Sequence, residues 1–402
     1  MDDSAERFRL GVNYWPAATA MNWLRHYDPA ETRRDLVRLA GAGLDTVRVF
    51  LRWEDVQPTR ATIDSTVLTH VIDAADAALA AGVELIVTLF TGHMSGVNYI
   101  PSWATTADSC GPRDGGRFRV MSAGRARSST TSLRSWYDDA DIVDAQQHLA
   151  TTVAGALAGH PAVWAWDLGN ENSNCTVPAD APAAETWMER MTTALRTADA
   201  GCQVTIGLHM EDLEQDRIIG PAMAARWCDF VCMHGYPIYA DWSDGPTDEH
   251  LVPFLALITG WLAGGAPVLF EEFGLPTVPA AGSASAMLVD ETDAAAYTAA
   301  VLDELWNVGA LGALLWCASD YASALHDHPP FDQAVHERTF GLWRADGSAK
   351  PAVAELAARQ RRERKASPSP QPWIDIDAAE FALHPKEQLG RLYRRYRQMG
   401  LR

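Results

Sequence analysis

The chain reads as an α/β protein, a (β/α)8 TIM barrel with a long loop after strand three and a helical C-terminal tail. Three observations predict it. Strand-like apolar runs alternate with helical patterns eight times over roughly 350 residues. Polar residues with chemical capability recur where those runs end, which is where barrels carry them. The turn after the first run, Gly11-Val-Asn-Tyr-Trp-Pro16, is not the Gly-rich phosphate turn that a doubly wound sheet would place there.

The elements follow in order. Phe8–Tyr14 reads as a strand, and Pro29–Gly43 as a helix with Asp28 as its N-cap. Asp45–Leu51 and Val83–Phe90 are the next strands, with a helix over Ser65–Gly82 between them. A polar stretch rich in Gly, Ser and Arg fills 104–135, and loops of that length act as lids or binding loops or are disordered. A helix over Asp139–Gly159 leads to strand four, Ala162–Leu168, and Ala183–Asp199 is its helix. Gln203–Leu208, Phe230–Met233, Pro267–Phe270 and Ala310–Leu315 complete the eight strands, with Thr292–Val308 among the helices between them. The catalytic domain is thus expected over 1–365, an extended Pro/Ser linker over 366–372, and a helical extension over 373–402. In that extension Leu389, Leu392, Tyr393 and Tyr396 share one face, which is expected to pack on the barrel or on a neighbouring subunit.

At 402 residues and 48% hydrophobic content the chain can bury one large core. A net charge of −19 excludes a nucleic-acid partner, whose phosphates demand a basic face. No apolar run reaches the length of a membrane span, and Met-Asp-Asp-Ser-Ala-Glu-Arg-Phe-Arg lacks the order of a secretory signal, so the expectation is a cytoplasmic enzyme. The six scattered Cys read as buried thiols and not as a disulfide frame or a zinc site. Fifteen Trp suit sugar stacking as well as core filling.

Two stretches carry the chemistry: Trp166-Asp-Leu-Gly-Asn-Glu-Asn172 and Phe270-Glu-Glu-Phe-Gly274. Each sets carboxylates at the end of a buried strand, about 100 residues apart. Hydrolysis of a glycosidic bond needs that pair, one acid to protonate the leaving oxygen and one carboxylate to attack or to activate water. His209, Glu211 and the run His326-Asp327-His328 fit no standard metal spacing, so neither metal nor cofactor is expected.

Read in order, the strand ends present Arg48, His93, Asn170, Glu171, His234, Tyr236, Glu272 and Trp316. This series resembles the retaining glycoside hydrolases of clan A, and most closely glycoside hydrolase family 5, over about residues 8–355. The resemblance implies that Glu171 is the acid/base, holding a proton at neutral pH, and Glu272 the nucleophile, because the family's nucleophile directly precedes an aromatic residue and Gly. Arg48 and Tyr236 would bind Glu272, Asn170 would donate to the sugar 2-hydroxyl, His93 and His234 would bind hydroxyls or orient the carboxylates, and Trp316 would floor the sugar. Since neighbours in a strand point to opposite sides, Glu271 is expected in the barrel wall.

Substrate choice depends on pocket walls. The 104–135 loop and the segment 317–340 are expected to close one end of the groove, with Asn13, Trp15, Trp53, Trp103, His209, Asp320 and Trp343 as walls and platforms. That favours an exo-acting β-glycosidase on short β-linked oligosaccharides or glycosides, with β-mannosidase as the specific choice. An endo-β-1,4-mannanase or endoglucanase with an open cleft is the alternative, and a non-catalytic carbohydrate-binding barrel the reading from another class.

Overall fold

The computed structural model describes residues 7–106, 118–122, 125–126, 132–278, 287–367 and 371–399. Eight parallel strands close into a barrel: β1 (Arg9–Asn13), β2 (Thr46–Arg52), β3 (Glu84–Thr91), β4 (Val163–Asn170), β5 (Gln203–His209), β6 (Val231–His234), β7 (Val268–Phe273) and β8 (Gly312–Leu315). Closure runs through β1 and β8, with Arg9 opposite Gly312 and Val12 opposite Leu315. A helix follows each strand: α1 (Pro29–Gly41), α2 (Ser65–Ala81), α3 (Ala140–Ala156), α4 (Ala181–Ala198), α5 (Pro221–Trp227), α6 (Leu251–Leu262), α7 (Glu291–Asn307) and α8 (Ala352–Ala357).

The helices start where the sequence supplies a cap. Asp28, Asp64, Asp139, Asp180 and Asp290 each accept a hydrogen bond from a backbone N–H of the first turn. Such a carboxylate satisfies a donor that the helix leaves unpaired and complements the positive end of its dipole. Between helices and sheet lies the main core. Ile86, Ala165, Cys232, Leu269 and Leu314, one from each of five strands, form a separate cluster that fills the barrel interior. At the amino ends of the strands the buried Arg9 lies 3.4 Å over the ring of Trp164 and pairs with Glu84 at 2.8 Å. The opposite end of the interior is polar.

Strands β4 and β7 run further than the apolar pattern indicates, through Asn170 and through Phe273. Their ladders continue because the polar side chains there are paired inside the barrel rather than solvated.

The segment after β3 leaves the barrel as a four-stranded sheet of His93–Met94, Val97–Tyr99, Arg119–Ser122 and Arg125–Ala126. The remainder of 104–135 lies partly outside the described residues, as does the Pro/Ser segment 366–372. A last pair of helices, α9 (Ala378–Leu383) and α10 (Pro385–Met399), follows. Leu389, Leu392, Tyr393 and Tyr396 of α10 are buried, and Phe254 of α6 packs against Trp373, Tyr393 and Tyr396 at ring distances of 5.1–5.6 Å. The apolar face of the tail is therefore covered by the barrel of its own chain. Among the described residues no helix is long and apolar enough to cross a membrane, and the five described Cys are free thiols.

Candidate active site

The site is built around a buried guanidinium. Arg48 on β2 is fully buried and donates to Asp167 from Nη2 at 2.7 Å and to Glu272 from Nη1 at 2.6 Å, with Glu271 3.3 Å from Nε. Removing one charge from water costs several kcal/mol, by order of magnitude, so an interior Arg persists only with such partners. Burial would lower its pKa, but Glu271, Asp167 and Glu272 outweigh that and hold it charged. Thr88 and Asn13 accept its remaining bonds at 2.8 and 3.3 Å. Space for the group comes from Gly207 on β5, where a Cβ would stand 2.9 Å from Arg48 Nη2 and 2.8 Å from the Gly169 carbonyl.

His234 at the end of β6 links the carboxylates. Its Nδ1 lies 3.0 Å from Glu171 and 3.6 Å from Glu272, and its Nε2 3.2 Å from Glu271. Burial favours the neutral ring, yet Glu272, Glu171 and Glu271 together raise its pKa from 6.5 to about 10. Both ring nitrogens therefore carry protons at neutral pH. Glu171 follows β4 in the left-handed region, with φ 49° and ψ 48°, a conformation uncommon for a residue with a Cβ. Its amide is held by the Gly207 carbonyl at 3.0 Å and its carboxylate by Asn174 Nδ2 at 2.9 Å. Burial pushes its pKa up, but the ring charges of His209, His234 and His93 prevail and pull it below the usual carboxylate range. Glu272 goes the other way: burial, with the nearby charge of Glu171, raises its pKa against the lowering by His234, Arg48 and Tyr236. Tyr236 donates its hydroxyl to Glu272 at 2.7 Å.

A cavity of about 390 Å³ opens above these groups, lined by His93, Asn170, Glu171, His209, His234, Tyr236, Glu272 and Trp316 among others. Oxygens of Glu171 and Glu272 and a nitrogen of His234 lie within 4.8 Å of one another. That close approach of the two carboxylates is in keeping with the short separation, about 5–5.5 Å, of a retaining glycosidase. The same trio is the group with metal-like spacing among the described residues. Its histidine, however, spends both nitrogens on Glu171 and Glu271.

The cellulase family (glycosyl hydrolase family 5) matches residues 11–321. The chain belongs to glycoside hydrolase family 5. No curated protein matches the sequence. Among solved structures it is similar to a GH5_18 enzyme from Streptomyces cattleya in complex with Manβ1-4GlcNAc, at 24% identity and a TM-score of 0.78, covering 98% of this chain and 92% of that one. The same enzyme with GlcNAc gives a TM-score of 0.80 over the same shares at 24% identity. The exo-β-1,4-mannosidase Op5Man5 from Opitutaceae bacterium strain TAV5 gives 0.71 at 24% identity, over 89% of this chain and 61% of that one. Family membership and the carboxylate spacing together make the protein a retaining glycoside hydrolase.

Several residues expected at the walls of this family 5 site lie elsewhere. Trp15 is buried in a stack on Phe50 at 4.8 Å. Trp53 is enclosed by Trp103 and Trp136 at 5.2 and 5.0 Å, and Trp103 donates to the Gln57 carbonyl. Asn13 sits beneath the site, donating to the Glu271 and Leu315 carbonyls. Asp320 pairs with Lys350 at 2.7 Å, and Trp343 is buried under the Arg38 guanidinium. Packing claims these indoles: Trp15, Trp53 and Trp343 are buried and Trp103 is half-buried. Arg48 also lies below the cavity and reaches it only through Glu272.

Strand alternation misplaces Glu271. Leu269 is in the interior cluster, so Glu271, two residues on, faces the barrel axis as well. The pairing register shifts between Phe270 and Phe273 and between Met233 and His234, and this brings Glu272 in beside it. Only Glu272 lines the cavity. Asp167 escaped the sequence reading altogether, although it is fully buried and accepts from Thr88, Arg48 and the amides of Gly169 and Gly207. The signal for it is an Asp inside an apolar strand, which needs a cation such as Arg48.

Proposed function

We propose that the protein is an exo-acting β-mannosidase releasing mannose from the non-reducing ends of short β-linked oligosaccharides. The observation that carries the exo reading is a wall on one side of the cavity. The sheet after β3 is stitched to the segment after β8 at three points: Ser95 to Glu337 at 2.9 Å, Tyr99 to the Pro329 carbonyl at 3.0 Å, and Arg119 to Asp332 by two bonds of 2.7 and 2.6 Å. A groove crossed by such a wall holds a chain end. Mannose is supported by the Manβ1-4GlcNAc complex and by the exo-β-1,4-mannosidase among the similar structures.

In this mechanism a carboxylate oxygen of Glu272, held by Arg48 and Tyr236, attacks the anomeric carbon as its bond to the leaving oxygen breaks. Glu171 gives its proton to that oxygen. Glu171 then takes a proton from water, whose oxygen attacks the same carbon and frees Glu272. Asn170, whose Nδ2 already donates to the His93 carbonyl, stands at the rim as donor to the 2-hydroxyl. Trp316 floors the sugar.

The sequence reading gave Glu171 its own proton in the resting site. The raised pKa of His234 and the lowered pKa of Glu171 favour a different resting state, with the proton on His234 Nδ1, 3.0 Å from the Glu171 carboxylate. Bound sugar displaces water from Glu171, whose side chain is 15% exposed. Loss of water disfavours the charged pair, and moving the proton across to Glu171 leaves a neutral acid and a neutral ring. Hydrolysis of a panel of nitrophenyl β-glycosides tests the substrate: β-mannoside is expected to be the best by at least tenfold in kcat/KM. A β-glucoside or β-galactoside in first place overturns the choice of mannose.

A further inference from the structure

We propose that Glu337, in the segment after β8, is a substrate-binding residue whose carboxylate accepts hydroxyls at the non-reducing end of the sugar over Trp316. It would thereby limit the site to one sugar on that side. The inference rests on the exo reading above.

Glu337 lines the same cavity as Glu171, Glu272 and Trp316 and is 6% exposed. Among the described buried carboxylates it shares with Asp199 and Asp212 the lack of a Lys or Arg partner, and of these three it alone lines this cavity. Asp167 has Arg48, Glu291 has Arg344 and Asp320 has Lys350. Among the described residues no Lys or Arg pairs with Glu337; the imidazole of His336 lies nearby, with Nε2 3.5 Å away. What holds it are two hydroxyls. Ser95 donates to Oε2 at 2.9 Å and Tyr239 to Oε1 at 3.1 Å. The Tyr239 hydroxyl also lies 2.8 Å from His336 Nε2, so a ring N–H there leaves the tyrosine proton for Glu337.

An ionised carboxylate offers about four lone-pair positions. Ser95 and Tyr239 fill two, one on each oxygen, and a buried acceptor left short of donors is costly. Sugar hydroxyls entering the cavity are donors of the right kind. Glu337 is also rigidly placed, as such a contact requires. Lys350 Nζ donates to the Thr339 carbonyl at 2.9 Å and Thr277 Oγ1 to the same oxygen at 3.2 Å, which fixes the backbone two residues on.

The test is a cycle of substrate and residue. kcat and KM are measured for the wild type and for Glu337→Gln on the best nitrophenyl β-glycoside and on its 4-deoxy and 6-deoxy forms. A hydrogen bond to a charged group corresponds to about ten- to hundredfold. The wild type is expected to lose that factor in kcat/KM on at least one deoxy substrate. Glu337→Gln should lose a similar factor on the parent, largely in KM, and discriminate against that deoxy form by less than about threefold. Ser95→Ala, which removes a tether and keeps the carboxylate, should retain the discrimination and so separates binding from a loosened wall. A variant as active as wild type on the parent, or an unchanged deoxy penalty in Glu337→Gln, overturns the proposal. Preference for a different epimer would overturn β-mannosidase alone, because the cycle is run on whichever glycoside is best. Internal cleavage of oligosaccharides would sink the exo reading and the one-sugar limit with it, whereas the hydroxyl contact of Glu337 stands or falls on the deoxy cycle.

Discussion

At the scale of single residues, one cation and one histidine organise four carboxylates. Arg48 neutralises Asp167, Glu271 and Glu272, while His234 joins Glu171 to Glu271 and lies near Glu272. Separate roles for Glu171 and Glu272 follow from what each faces. Glu171→Ala is expected to cut turnover of alkyl mannosides by about 10²–10⁴-fold, the usual range for lost acid catalysis. Activated aryl mannosides should react far better, with added azide giving a β-mannosyl azide; equal losses on good and poor leaving groups would show the role to be misassigned. Glu272→Gln should remove activity and leave a folded protein. His234 gives a pH signature. Its raised pKa stabilises the fold fully below the ordinary 6.5, and this contribution is lost as pH rises through about 10. The proton shared with Glu171 is lost over the same interval, so the alkaline limb of kcat/KM should follow it. Glu271→Gln removes one of the three carboxylates that hold the ring charged. It should move that limb to lower pH and keep measurable turnover near neutrality. A limb in the same place would contradict the role given to His234. Arg48 within β2 and Trp316 after β8 took their place from the family resemblance, whereas most of the eight residues were legible because they are polar types following an apolar run. Asp167 and Glu337 were not: one hides within a strand, and the other's position depends on contacts with Ser95 and Tyr239 from distant loops.

At the scale of elements, the strands were readable because parallel barrel strands are apolar on both faces and are bounded by capped helices. Where they end was less readable. β4 and β7 continue through polar residues because Arg48 and His234 satisfy them, a tertiary effect with no local signature. The register shift in β7 likewise has its cause in the neighbouring strands, so alternation alone assigned Glu271 to the wrong side. Gly207 shows how far one position on a strand controls the site. A Cβ there meets the Gly169 carbonyl and Arg48 Nη2, and the backbone oxygen cannot yield as a side chain would. Gly207→Ala is expected to destabilise the protein by about 1–3 kcal/mol, the usual cost of overpacking. Because Arg48 is displaced with it, kcat should fall along with Tm, as read by thermal unfolding and by rates on one glycoside. A variant with wild-type Tm and kcat would show that the barrel gives way there freely.

At the scale of the whole molecule, the barrel supplies a rigid ring of strand ends, and two loops convert it into a one-sided pocket. The tail takes no part in that pocket. It covers α6 through Phe254, Trp373, Tyr393 and Tyr396 on the outside of the barrel. The architecture and the two-carboxylate chemistry could be read from the chain because both rest on local patterns. The platforms could not, since an indole after a strand serves the core or the cavity according to how the loops fold. With every role assigned to a side chain, EDTA is expected to leave the rate unchanged, and loss of activity restored by a divalent ion would contradict this. The exo β-mannosidase reading is tested most directly by the first products from mannopentaose labelled at its reducing end. Free unlabelled mannose and labelled mannotetraose are expected first, followed by a ladder that shortens by one sugar at a time. Mannobiose or mannotriose among the first products, or no cleavage at all, would contradict it.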